Sequence, residues 1–232
     1  MTAIPRPHTC DDGRVQAGDA IHTYRLRQGR ASTTSLHALD RLWPRFGLEP
    51  VGPLDLAGTF GRVAPVVLEI GSGMGEATAA LAAAQPERDV VAVEVHRAGV
   101  AALLRRLEQA NLANVRVVEG DAVALLKDAV PPASLTEVRV LFPDPWPKAR
   151  HAKRRLLCVA FVELVATRLV PGGRLHVATD SAAYADQALL VMTPLLDTRR
   201  VDRPATWPVT RFEQRGLDAG RASYDLVGVR LR

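Results

Sequence analysis

Val66-Val67-Leu68-Glu69-Ile70-Gly71-Ser72-Gly73-Met74-Gly75 decides how this chain is read. An apolar run of strand length opens into three glycines spaced Gly-x-Gly-x-Gly, and an alanine-rich helical stretch follows to about residue 84. Glycines let the backbone turn tightly and let a ligand approach the main chain closely. The strand also carries an acid, Glu69, just before the turn. A pyrophosphate is repelled by that carboxylate, and the dinucleotide fingerprint Gly-x-Gly-x-x-Gly is not matched. A ligand with a cationic amino group and no phosphate suits both features. That chemistry points to S-adenosyl-L-methionine and away from NAD.

Outward from this turn, strand and helix patterns alternate. Strands are expected at 66–70, 89–95, 115–118, 137–142 and 174–178, with helices at 98–110, 122–128, 153–169 and 184–196 between and after them. Two further strands are expected near 209–212 and 223–231. Apolar strand runs separated by helices argue for a parallel sheet covered on both faces. The expected fold is therefore α/β, with seven strands, mostly parallel. Upstream, Ser32 or Thr33 can cap a helix over 32–46 with Leu36, Leu39 and Leu42 on one stripe, ended by Pro44 and Gly47. The expected organisation is a disordered tail (1–20), a basic extension with its helix (21–64) and one large α/β domain (65–232).

Two more acids stand at expected strand ends. Glu94 closes the second strand, where nucleotide-binding α/β folds place a carboxylate on the ribose hydroxyls. Asp121 follows the third strand after Gly120 and can accept from an adenine amino group. Acids in such positions also serve as helix N-caps. Read with the glycine turn, the three form a cofactor-site pattern.

At the fourth strand's end, Phe142-Pro143-Asp144-Pro145-Trp146-Pro147-Lys148 holds a carboxylate between two prolines. Proline fixes its own φ and keeps the preceding residue extended, so Asp144 is expected in a rigid loop at the sheet's ligand-binding edge. Lys148, Arg150, Lys153, Arg154 and Arg155 follow within eight residues. A stiff acidic corner beside dense positive charge suggests chemistry on a polyanion. The net charge of +5 agrees with this but says less than the clustering. Trp146 can stack on a base or wedge into the core; Asp180 can cap a helix or meet substrate.

The bulk numbers exclude several classes. The 232 residues are 47% hydrophobic and 24% charged, ordinary for a globular domain that needs no disulfide staples. Two cysteines, Cys10 and Cys158, make neither a disulfide framework nor a metal cluster, so no metal is expected and a reducing compartment, the cytoplasm, fits best. No signal peptide and no membrane span is expected.

With these residues in view, the chain resembles the bacterial tRNA (guanine-N7)-methyltransferases, enzymes with a Rossmann-like class I methyltransferase fold. The matching elements are Leu68-Glu69-Ile70-Gly71, Gly73-Met74-Gly75, Glu94-Val95-His96-Arg97, the Phe142–Lys148 stretch, Ala178-Thr179-Asp180, Thr210-Arg211-Phe212-Glu213 with Arg215-Gly216, and upstream Arg25–Arg30. Ala149, Ala152, Ser72 and Arg221 depart from the family's usual residues. The resemblance implies methyl transfer from S-adenosyl-L-methionine to guanine 46 of tRNA. It implies cofactor contacts at Glu69, Gly71, Gly73, Gly75, Glu94, Asp121 and Asp144, with Asp144 also catalytic. It places substrate contacts at Lys148, Asp180, Thr210, Arg211, Phe212 and Glu213, and tRNA contacts at Arg150, Lys153, Arg154 and Arg155. Two alternatives stand beside this reading: a methyltransferase for another RNA, and a non-catalytic RNA-binding relative.

Overall fold

The computed structural model describes residues 23–24 and 32–232; the tail expected at 1–20 and nearly all of the basic segment at 21–31 lie outside the described residues. Seven strands form one sheet: β1 (Val66–Ile70), β2 (Asp89–Glu94), β3 (Val115–Glu119), β4 (Leu135–Leu141), β5 (Leu169–Thr179), β6 (Asp197–Val201) and β7 (Tyr224–Val229). Their order is β3-β2-β1-β4-β5-β7-β6. All are parallel except β7, which runs antiparallel to both β5 and β6. The expected seven-stranded, mostly parallel sheet is thus present.

Residue alternation builds two cores, one on each face of the sheet. Val66, Leu68 and Ile70 of β1 and Val91 and Val93 of β2 join one cluster, while Val67, Val90 and Ala92 join the other. The first is covered by α5 (Ala122–Asp128), α6 (Val159–Arg168) and α7 (Ala182–Met192). The second is covered by α1 (Thr33–Phe46), α3 (Glu76–Ala84) and α4 (Arg97–Gln109). Ser32 caps α1, its hydroxyl accepting from the Ser35 amide at 3.2 Å. Ala38, Leu39, Leu42 and Phe46 then bury α1 in the same cluster as α4, so this part of the expected extension packs into the main body. At ~1.5–3 kcal/mol for each large apolar side chain removed from water, that stripe anchors the helix firmly.

Two expectations are corrected. Residues 209–212 are not a strand: Thr210 caps α8 (Arg211–Asp218), and the sixth strand is Asp197–Val201. That strand's sequence, Asp-Thr-Arg-Arg-Val, lies at the sheet edge with half its face in water, so it carries no apolar run to read. The helix expected over 153–169 is divided into a 3₁₀ turn (Ala149–Arg154) and α6. The loop before β1 contains a short helix, α2 (Leu56–Phe60), capped by Asp55. Among the described residues no helix is long and apolar enough to cross a membrane.

One stretch of sheet is charged rather than apolar. Glu137 and Arg139 of β4 are buried, and the Glu137 carboxylate accepts from Arg139, Arg88 and Arg174 at 2.7–2.8 Å. Burial pushes this carboxyl up, but Arg139 and Arg174 overcome that and hold it at about 2. Its folded value lies below the ordinary 4.5, so its contribution to stability is full above that pH and is lost as pH falls toward 2. Urea titrations from pH 7 to 3 are expected to show this loss. Glu137→Gln is expected to flatten the dependence and to cost about 3–5 kcal/mol by stranding the buried Arg139 guanidinium.

Candidate active site

Every strand-end acid singled out in the sequence lies at the carboxyl edge of the sheet. Strand order reverses at β1: the chain runs outward through β2 and β3, then returns to lay β4 and β5 on the other side. Open α/β sheets bind ligands at that switch point. The glycine turn sits there, with Gly71, Gly73 and Gly75 at φ of 76°, 56° and 78°, a region that favours glycine. The three differ in role. A Cβ on Gly71 or Gly73 would meet no atom within 4 Å, so the turn is open above them. A Cβ on Gly75 would strike Leu103 of α4 at 2.6–2.8 Å, backbone included. Gly75 is therefore a packing contact, and Gly99 of α4 is its counterpart, since a Cβ there would lie 2.5 Å from the Gly73 carbonyl oxygen. The sequence reading missed Gly99; a lone glycine inside a helical pattern was the available signal.

Glu69 is buried beneath this turn. Its Oε1 accepts from the Thr78 hydroxyl at 2.8 Å, and its Oε2 has no partner among the described residues. Burial raises its pKa; Thr78 and the charge of Arg139 oppose the rise, and Glu137 adds to it. A buried carboxylate oxygen without a donor calls for one, and a ligand's ammonium group can supply it. Glu94 joins the turn to β2, its Oε2 accepting from the Gly73 amide at 2.8 Å and its Oε1 from the Val95 and His96 amides. A carboxylate has about four acceptor positions, so ribose hydroxyls can still bond to it. Asp121 caps α5, with Oδ1 accepting from Val123 and Ala124. The Tyr24 hydroxyl is pushed up by burial and by the charge of Asp121. These residues fit S-adenosyl-L-methionine: a bare buried acid for its amine, an open glycine turn, and an acid at each neighbouring strand end.

The Asp144 loop is held by more than its prolines. Phe142 and Trp146, on either side of Asp144, take φ of 52° and 40°, uncommon for bulky residues and of a kind that clusters at functional sites. Trp146 is buried: its Nε1 donates to the Thr23 carbonyl at 3.1 Å, the Arg154 guanidinium lies 4.9 Å from its ring centroid, and His151 meets it edge-on. It is a wedge rather than a free stacking surface. Arg155 braces the loop, donating to the carbonyls of Pro145 (3.0 Å) and Trp146 (3.3 Å) and to Gln187, with its guanidinium over Tyr184. Burial, with a contribution from Asp144, pushes the Tyr184 hydroxyl up to about 12. The sequence reading grouped Arg155 with the tRNA-facing cations, but each of its three nitrogens already donates within the protein, two of them to the loop. Lys148, Arg150, Lys153 and Arg154 are exposed.

At the β5 end, Asp180 does not cap α7. Ser181 does, and the Asp180 carboxylate accepts from Arg221 Nε at 2.7 Å. Thr210 and Glu213 form a capping box on α8, and Arg203 pairs with Glu213 at 2.6 Å. Burial raises the Glu213 carboxyl, against the pull of Arg203. Phe212 is half exposed, 6.0 Å from the Phe142 ring at the head of the Asp144 loop. The Arg211 side chain lies outside the described residues. Among the described residues no group of three or more His, Cys, Asp or Glu side chains is arranged to hold a metal.

Two outcomes are expected. Glu69→Gln removes a charge-assisted bond worth roughly 1.5–3 kcal/mol, so calorimetry is expected to show S-adenosyl-L-methionine binding about 10- to 100-fold more weakly. Arg155→Ala leaves two loop carbonyls unbonded; it is expected to cost about 1–3 kcal/mol and to speed hydrogen exchange across 144–148, while Lys153→Ala does neither.

The chain was compared with known proteins. A family described as "Putative methyltransferase" matches residues 63–226. A tRNA (guanine-N(7)-)-methyltransferase of Thiobacillus denitrificans is 49% identical over 226 residues, covering 94% of this chain and 98% of that protein. One of Nitrosospira multiformis is 48% identical over 213 residues, covering 89% and 93%. Among solved structures, the tRNA (m1A58) methyltransferase TrmI of Aquifex aeolicus superposes with a TM-score of 0.51 at 20% identity, covering 72% of this chain and 63% of that one. The 16S rRNA methyltransferase KamB does so with 0.53 at 16%, covering 80% and 97%. These two establish a shared fold, the class I methyltransferase fold expected from the sequence. With the glycine turn, the strand-end acids and the Pro-Asp-Pro loop all on one sheet edge, the chain belongs to the tRNA (guanine-N7)-methyltransferase family.

Proposed function

We propose that the chain transfers the methyl group of S-adenosyl-L-methionine to N7 of a guanine in the variable loop of tRNA, guanine 46 in usual tRNA numbering, in the cytoplasm. The observation that carries this reading is the meeting, at one sheet edge, of the Glu69 pocket under an open glycine turn with an Asp144 loop flanked by exposed cations.

The cofactor, when bound, supplies a methyl group made electrophilic by its sulfonium. Glu69 binds its amine, the open side of Gly71 and Gly73 receives its backbone, and Glu94 and Asp121 accept from its ribose and adenine. Guanine N7 presents an in-plane lone pair and no proton, so no side chain need act as a base. What remains for the protein is alignment, worth roughly 7–11 kcal/mol in favourable cases, and electrostatics. Positive charge passes to the purine ring, and Asp144, rigidly held, stabilises it while accepting from the N1–H or exocyclic amine. Asp180 and the Thr210–Glu213 run are the further contacts to the base. Because Glu213 is committed to capping and to Arg203, it shapes this pocket as much as it lines it.

N7 lies in the deep major groove of A-form RNA, out of reach of side chains, so the target must sit in a loop or be displaced. Recognition then rests on tRNA shape and on phosphates gripped by Lys148, Arg150, Lys153 and Arg154. The test is to incubate the protein with an unmodified tRNA transcript and labelled cofactor, then locate N7-methylguanosine by chemical strand cleavage. A single product in the variable loop is expected; an unaltered transcript, or product elsewhere, refutes the reading. Asp144→Asn is expected to lower kcat by about 10²–10³-fold. Lys153→Ala is expected to raise KM for tRNA and to reduce the salt dependence of binding by about 0.7–0.9 of a log unit per log unit of salt.

A further inference from the structure

Glu69 of β1, Arg139 of β4 and His176 of β5 stand side by side across three neighbouring strands, Glu69 in register with Arg139 and Arg139 with His176. All three are buried, on a part of the sheet where an apolar row would be expected. Arg139 donates from Nε to Glu137 at 2.7 Å and from Nη2 to Gln85 at 3.0 Å. Trp207 roofs the row. Its ring stacks on His176 (centroids 4.4 Å apart, planes 28° apart) and lies 5.1 Å from the Arg139 guanidinium. His176 is fixed in turn by Asp225 of β7 at 2.8 Å. Trp207 belongs to the segment between β6 and α8, three residues before Thr210.

Burying this row is costly unless the charges balance. Arg88 and Arg174 reach Glu137 from partly exposed positions, where water shares their charge. Asp225 is bonded to His176 at the far end of the row; around Glu69 the deeply buried set is then one cation, Arg139, and two carboxylates, Glu137 and Glu69. The ammonium of the proposed cofactor completes it. We propose that Arg139 is a positioning residue for methyl transfer: it supplies the counter-charge to Glu69 on one side and seats Trp207, and with it the start of the substrate-contacting run, on the other. This rests on the function proposed above and deepens it, since one guanidinium then serves both the cofactor end and the substrate end of the site.

The groups that face Glu69 are Thr78 from α3 and Arg139 and Glu137 from β4; its β2 neighbour is Ala92, which carries no charge. Among the described residues, Arg139 is thus the one cation whose removal directly changes how readily Glu69 ionises. Burial already raises Glu69, and without Arg139 the rise is larger. Cofactor affinity falls wherever Glu69 is protonated, so its acid limb is expected to move to higher pH.

The test is calorimetric titration of the full chain with S-adenosyl-L-methionine from pH 5 to 8, paired with steady-state KM for tRNA. For Arg139→Met, the acid limb is expected to shift up by about one pH unit, a roughly tenfold loss where the limb is steep, and KM for tRNA is expected to rise. Arg139→Lys restores the charge but not the planar fork, so it is expected to restore the limb and leave KM for tRNA raised. Trp207→Leu, which keeps every charge, is expected to raise KM for tRNA with the limb in place; it carries the substrate half if Arg139→Met does not fold, and Arg139→Gln, neutral but still able to donate to Glu137, then carries the cofactor half with the same upward shift of the limb. A limb identical in wild type and Arg139→Met, or a KM for tRNA unchanged by Trp207→Leu, overturns the proposal. Absence of saturable cofactor binding by the wild type refutes the proposed function itself, and this inference with it.

Discussion

A carboxylate buried at the end of the first strand, with one oxygen bonded and the other bare, is the constraint around which this molecule is arranged. Glu69 is taken out of water by the glycine turn above it and by α3 beside it, and it receives one hydrogen bond, from Thr78. An isolated buried acid costs enough that it ordinarily takes up a proton instead. Two features work against that here: the hydrogen bond from Thr78 and the positive charge of Arg139 on the adjacent strand. The fold can bear this cost because β1 is an interior strand, paired on both sides and buried along its whole length. On the proposed function, stability is given up at the strand end so that a cationic ligand finds a partner already desolvated and in place.

The same economy appears at the Asp144 loop. Proline on both sides of the acid restricts the backbone, and the left-handed residues Phe142 and Trp146 turn it sharply. Arg155 supplies the restoring force through two carbonyls and Gln187. The basic run therefore divides by role: one arginine holds the corner still, and the cations around it remain at the surface, where a polyanion can reach them. On the proposed function, alignment requires this division, because an Asp144 carboxylate that drifted by an ångström would no longer meet the developing charge.

Much of the fold was legible because the signals were local. The apolar run Val66–Ile70 with its glycines, the alternation that followed, and acids at successive strand ends each rest on a few adjacent residues. What escaped were features whose meaning depends on partners far along the chain. Gly75 and Gly71 look alike in sequence, yet one is fixed by Leu103 of α4 and the other faces open space. Arg155 is one cation among five until Pro145 and Trp146 are seen above it. The edge strand Asp197–Val201 has no apolar pattern to display. The stretch 137–142 read as an apolar strand because Val138, Val140 and Leu141 dominate it, and its buried charges, Glu137 and Arg139, find their partners on β5 and in the segment between α3 and β2. One signal was present and passed over. Thr210-x-x-Glu213 is the capping-box pattern, and it argued for a helix start where β-branched and aromatic residues suggested a strand.

The central claim is that Glu69 meets the cofactor's ammonium as a carboxylate whose desolvation the fold has already borne. Calorimetry of S-adenosyl-L-methionine binding at pH 5.5, repeated in buffers of different ionisation enthalpy, counts the protons exchanged on binding. Because burial raises Glu69 in the free protein and an ammonium partner lowers it in the complex, the account predicts proton release that shrinks as pH rises and disappears in Glu69→Gln. Proton uptake, or release undiminished in Glu69→Gln, would contradict it.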